Sequence, residues 1–199
     1  MKKSFLTLSL VCAAFANTMY LNKDVEIKVN GKTIANASLL SPVNVVSQNG
    51  DNYKVELIGF VNDNYQEELV KSFTQNENYT SFHDKDEKAT FQGDKNPYIK
   101  MLEIAEDEYG ETWHKASISF DVKKDDLVEN KDAILKEAKS LYEQTCSPCH
   151  HLHDTKEYTV NQWPSNLESM ISSDYVALKK DEKSLIIKYL QQNAKDINN

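Results

Sequence analysis

Residues 123–131 read "KKDDLVENK", and the hydrophobic period of the chain changes across them. Before this charged run, apolar residues alternate at every second position, as in half-buried strands; after it they recur every three or four, as on one helical face. The run therefore predicts a boundary between a β half, ending at Val122, and a helical half.

Upstream, "DVEIKVNGKTIA" (24–35) alternates Val25, Ile27 and Val29 with polar residues and then supplies Asn30 and Gly31, the dipeptide of a tight hairpin. "PVNVVSQNGDNYKVELIGFVND" (42–63) repeats the device with a turn at Asn49 and Gly50. "YQEELVKSF" (65–73) fits a strand or one helical turn, and "TQNENYTSFHDKDEKAT" (74–90) is polar enough for a long loop. A last strand pair is expected within "YIKMLEIAEDEYGETWHKASISFDV" (98–122), turning near Glu108 to Gly110, with Met101 as strand core. Short strands joined by tight turns predict a small barrel or sandwich.

Downstream, Ile134, Ala138, Leu141, Tyr142 and Thr145 share one helical face, so a helix should run into Cys146. A second should begin near Asn161 with Pro164 in its first turn and Trp163, Leu167, Met170 and Ile171 on one side. A third should span Asp181 to Ala194, with Ile186, Tyr189, Leu190 and Asn193 as its stripe.

The N-terminus reads as a secretory signal peptide over residues 1–16: Lys2 and Lys3, an apolar run from Phe5 to Phe15, and Ala14-Phe15-Ala16 as the cleavage signal. The run is short for a membrane span, so the expected mature chain starts near Asn17, outside the cytoplasm and without a membrane insertion. Losing Lys2 and Lys3 takes the 23 basic residues to 21 against 31 acids, and the net charge from −8 to −10. Nucleic acid and anionic membranes would repel such a chain. All its cations are lysine, which leaves no guanidinium fork for phosphate. The acidic surface can steer docking onto a basic partner or simply keep an exported protein soluble.

With Cys12 in the leader, only Cys146 and Cys149 remain, too close together to staple a fold. They lie in "EQTCSPCHHLHD" (143–154), which could hold a haem, a zinc ion or a redox disulfide. Cys146, Cys149 and His150 form CxxCH, the attachment signature of haem c: two thiols add to the porphyrin vinyl groups, and the next residue becomes the proximal iron ligand. Zinc sites draw ligands from two separated knuckles, whereas every candidate here lies within one short stretch. A thioredoxin-like CxxC should follow a strand, and this one follows a helical pattern. Export and helical flanks favour haem. Met170 is the candidate distal ligand, a thioether that raises the potential of an electron carrier, or else an ordinary core methionine. His151 and His153 read as loop residues or propionate donors, and His83 and His114 as outside candidates.

"AKSLYEQTCSPCH" and "KSLIIKYLQQNAKD" resemble the first and last helices of small cytochromes c, with Ala138 where that family usually has glycine and Tyr142 and Tyr189 as its crossing aromatics. Residues 145–196, through "NQWP", Met170 and "YLQQNAKD", resemble the monohaem C-terminal domain of cytochromes that feed periplasmic trimethylamine N-oxide reductases. "SPVNVVSQNGDNYKVELIGFV" is similar to the SH3-like module before that domain.

The resemblance implies an α+β protein: a signal peptide (1–16), a small all-β SH3-like barrel or sandwich (17–125), and an all-α cytochrome c-like haem domain (126–199). It implies a periplasmic electron carrier, not an enzyme, with one covalent haem c held by Cys146, Cys149, His150 and Met170. Its partners in anaerobic respiration would be a molybdopterin N-oxide or S-oxide reductase as acceptor and a quinol-oxidising membrane cytochrome as donor. The chain carries a single CxxCH where longer relatives add a membrane-anchored multihaem module, so the donor would be another protein. The alternative is an adaptor whose β half recognises the reductase or a sensor, with haem regulatory.

Overall fold

The computed structural model describes residues 18–148, 151–172 and 176–197. The expected signal peptide, Cys149 and His150 lie outside the described residues.

Ten strands form one antiparallel, curled sheet: β1 (Thr18–Leu21), β2 (Val25–Val29), β3 (Lys32–Ala37), β4 (Pro42–Asn49), β5 (Asn52–Asn62), β6 (Tyr65–Val70), β7 (Asn78–Ser81), β8 (Lys100–Glu106), β9 (Thr112–Lys123) and β10 (Leu127–Val128). Their order is β10-β1-β4-β5-β6-β7-β3-β2, with β9 on the other edge of β5 and β8 beyond it. The 11-residue β5 organises the sheet. One edge pairs with β9 from Asn52 to Asn62; the other is shared, with β4 at Asn52 to Glu56 and β6 at Phe60 and Asn62. Bulges in the β4–β5 and β5–β6 ladders increase the local twist, and the sheet curls until β2 returns against β9. Leu57 and Val61 of β5, Ile118 and Phe120 of β9, Ile27 of β2 and Ile34 of β3 fill the interior.

The Asn30-Gly31 hairpin forms as expected, with both residues at positive φ (52° and 78°), as a tight twisted turn requires. The second hairpin turns one residue later than the sequence suggests: Asn49 pairs with Asn52, leaving Gly50 and Asp51 as the two-residue loop. "YQEELVKSF" resolves as strand β6, and the expected long loop contains β7, because the curled sheet supplies β6 and β3 as partners for Asn78–Ser81. Met101 is not strand core: β8 is an edge strand, and Met101 is 38% exposed.

Among the described residues, three helices follow: α1 (Asp132–Cys146), α2 (Trp163–Ser172) and α3 (Lys180–Gln192). They correct the expected fold class. The protein is mostly β, and its helices of 15, 10 and 13 residues do not make an all-α cytochrome c-like domain. The physical reason is where their buried polar groups find partners. Lys188 of α3 reaches out of the helical layer to Glu77 before β7, and the two side chains are 4% and 2% exposed as residues. The Nζ of Lys188 lies 3.2 Å from the Glu77 carboxylate, donates to the Asn78 carbonyl at 2.6 Å and sits over the Tyr79 ring. Gln192 donates to the same carboxylate. Asn161 spans the seam twice, accepting from the Asn76 amide and donating to the Thr74 carbonyl. Polar bonds, beside two separate apolar clusters, thus tie the helices to the sheet.

Candidate functional site

The helical layer has its own apolar cluster, and the haem-signature segment enters it. Along α1, the four-residue spacing puts Ala138, Tyr142 and Cys146 on one buried face. Ala138 is fully buried, and its small side chain suits the close packing of α1 on α3. The Tyr142 and Tyr189 rings meet across that crossing at 6.1 Å between centroids. Burial pushes the Tyr142 phenol up to about 12, the Cys146 thiol and Tyr189 adding to the effect, so it stays a hydrogen-bond donor, to the His153 carbonyl at 3.0 Å.

α2 begins with a reciprocal cap. Gln162 N–H donates to the Thr159 hydroxyl, and Thr159 N–H donates to the Gln162 side-chain oxygen. The cap fixes Trp163, which is fully buried and donates its indole N–H to the Thr155 carbonyl at 3.1 Å. Tyr158 stands edge-on to Trp163, with centroids 4.8 Å apart, and His153 stands edge-on to Tyr158. Leu167, one turn along α2, is buried in the same cluster, and Met170 packs against it, partly buried. Two of the four expected haem residues, Cys146 and Met170, are therefore brought to one apolar cluster. Cys149 and His150 fall outside the described residues. Among the described residues no group of three or more His, Cys, Asp or Glu side chains gathers to hold a metal ion.

The other histidines are placed elsewhere. His151 is exposed, and His153 contacts Glu157 at 2.8 Å. His83 bridges Glu67 and Ser81, and His114 pairs with Asp63, both in the β half. Periodicity alone overlooks the polar ties that close the site. Val160 N–H donates to the Asp196 carboxylate at 2.9 Å, Gln191 donates to the Val160 carbonyl at 3.1 Å, and Lys195 N–H donates to the Tyr158 carbonyl. These bonds stitch the "NQWP" approach to the "YLQQNAKD" end of the chain. The side chains involved are polar residues in a helical tail, and nothing in their spacing distinguishes them from a solvated face.

What this arrangement can do chemically is limited and specific. Cys146 at the end of α1 and Trp163 of α2 are buried in one apolar cluster, against which the Met170 thioether packs. Cys146 could supply one thioether link to a porphyrin vinyl group and Met170 a soft donor to its iron; Cys149 and His150, the other two residues such a group would need, lie outside the described residues.

Known proteins similar to this chain are named as cytochromes. The chain is 28% identical to the cytochrome c-type protein TorC of Escherichia coli over 202 aligned positions, covering 98% of this chain and 48% of that protein. It is 30% identical to the cytochrome c-type protein TorY of Haemophilus influenzae over 110 positions, covering 55% of this chain and 29% of that protein. It thus spans about half the length or less of these curated relatives. No protein-family model and no solved structure matches it. Among the described residues, no helix is long and apolar enough to cross a membrane.

Proposed function

We propose that this chain is an exported c-type cytochrome that carries single electrons. The observation that supports the reading is the burial of Cys146, the first cysteine of CxxCH, at the end of α1 in an apolar cluster against which Met170 also packs. When bound, haem c supplies a one-electron couple between ferric and ferrous iron. Cys146 and Cys149 would hold it by thioether bonds, with His150 as proximal and Met170 as distal ligand. Trp163 and Leu167 exclude water from the site, and the Tyr142–Tyr189 contact fixes the helix that presents Cys146. A dry surround and a thioether both raise a haem potential, as a carrier feeding a terminal reductase needs.

The relatives' names and the segment from Thr145 to Asp196 support a role in the Tor system. In this reading residues 1–16 direct export to the periplasm, 17–125 form a β module and 126–199 bear the single haem. The acceptor is a molybdopterin N-oxide or S-oxide reductase, and the donor is a quinol-oxidising membrane cytochrome.

Expression with the haem c maturation machinery tests the cofactor. The protein should keep haem stain through denaturing electrophoresis, and Cys146→Ala with Cys149→Ala should abolish it. Met170→Ala should remove the ferric iron-to-sulfur charge-transfer band and lower the potential; with neither change, Met170 is a core residue. Failure of the reduced protein to reduce a co-expressed periplasmic molybdoenzyme would overturn the partner while leaving the cofactor standing.

A further inference from the structure

The hairpin of β8 and β9 carries an edge unlike the others. Among the described residues β8 pairs with β9 alone, so its outer row of backbone donors and acceptors has no strand partner. Edge strands usually blunt that row with charge or proline along the strand. Here exposed apolar side chains flank the central Glu103: Leu102 is 41% exposed and Ile104 is 76% exposed, while Tyr109 at the adjoining turn is 83% exposed. These side chains lie outside the buried cluster of the sheet, which is complete without them.

The charge around this strip is mostly negative. From Lys100 to Lys115, Glu103, Glu106, Asp107, Glu108 and Glu111 outnumber the two lysines, and Lys115 lies 3.7 Å from Glu103. Asp107 is occupied in the turn, accepting from the amides of Tyr109 and Glu111 and from the Trp113 indole. We propose that the open edge of β8 is a docking strip for an extended, lysine- or arginine-bearing segment of a partner protein, which adds to the sheet as a further strand. Main-chain bonds to the free edge supply affinity, Ile104 and Leu102 supply apolar contact, and the acidic rim selects a cationic strand.

The same features disfavour a second copy of this chain. Self-pairing would set one acidic rim against another in a molecule already at a net charge of −8. It would also oppose two bulged strands, since β8 is irregular between Met101 and Glu103. A bulge and like charges are common guards against self-association. Of the two, the charges favour a cationic strand.

The full-length chain can be titrated with the acetylated, amidated peptide of four Lys-Val repeats, and with a peptide of equal charge made of Lys-Pro repeats, which cannot donate along a strand. The Lys-Val peptide should slow amide exchange in β8, bind more weakly at raised salt, and bind about tenfold more weakly to Ile104→Lys. Glu106→Lys should weaken it as well. Ile104 is exposed, so its replacement should leave circular dichroism unchanged. Equal binding of the Lys-Pro peptide, unchanged binding to Ile104→Lys, or concentration-dependent dimerisation lost in Ile104→Lys would each overturn the proposal. None of these readouts depends on haem.

Discussion

Lys188 and Glu77 form an ion pair withdrawn almost wholly from water, and each comes from a different layer of the protein. Burial draws the Lys188 ammonium below the usual lysine range, and the Glu77 carboxylate opposes that shift. Such a pair contributes little net stability over an apolar pair of the same shape, but breaking it leaves a charge poorly compensated in a dry interior. Lys188→Met leaves Glu77 with only Lys71 at 3.8 Å and the Gln192 amide, and Glu77→Gln leaves the Lys188 ammonium without a carboxylate; each is expected to destabilise the chain by about 3–5 kcal/mol. The double variant Lys188→Met with Glu77→Leu should recover most of the loss in urea denaturation. A double variant no better than Lys188→Met alone would mean that packing, not charge, makes the site sensitive.

At the level of elements, two glycines do different work. A Cβ at Gly59 would stand 2.9 Å from the Val70 carbonyl oxygen and 3.2 Å from the Leu69 Cβ, where β6 crosses close over β5. Gly31 has open space around it but holds φ at +78°, where side chains are strained. Gly59→Ala should cost about 1–3 kcal/mol through forced separation of the strands. Gly31→Ala should cost about 1 kcal/mol through backbone strain alone. Thermal melts give the sizes. Amide exchange separates the causes, since only Gly59→Ala should loosen the β5–β6 ladder.

Among the described residues one curled sheet carries three helices, tied to it by the buried Glu77–Lys188 pair and by the exposed Asn161 bonds, so the two halves are expected to unfold together. The two tryptophans report on them separately: Trp113 lies in β9 and Trp163 opens α2. In Trp113→Phe and Trp163→Phe, each retaining one fluorophore, the urea midpoint read by the remaining tryptophan should equal the midpoint read by circular dichroism for the same variant. Separate midpoints would mean that the helical layer melts on its own and that the Glu77–Lys188 seam is not cooperative.

The sequence by itself determined the local pieces. Strict alternation located the strands around Val25 and Val55, Asn30-Gly31 fixed a hairpin, and the spacing of Ile134, Ala138, Leu141 and Tyr142 ran a helix into the first haem-signature cysteine. These are short-range properties, set by the chain's own geometry. It could not show that β6 and β7 find partners across the curl, that Met101 falls on an open edge, or that Lys188 is buried, because each depends on residues distant in sequence. A lysine within a polar helical stretch carries no sign of the carboxylate 111 residues away that lets it leave water. Only the tertiary structure brings Glu77 to it, and that pairing ties α3 to the chain before β7.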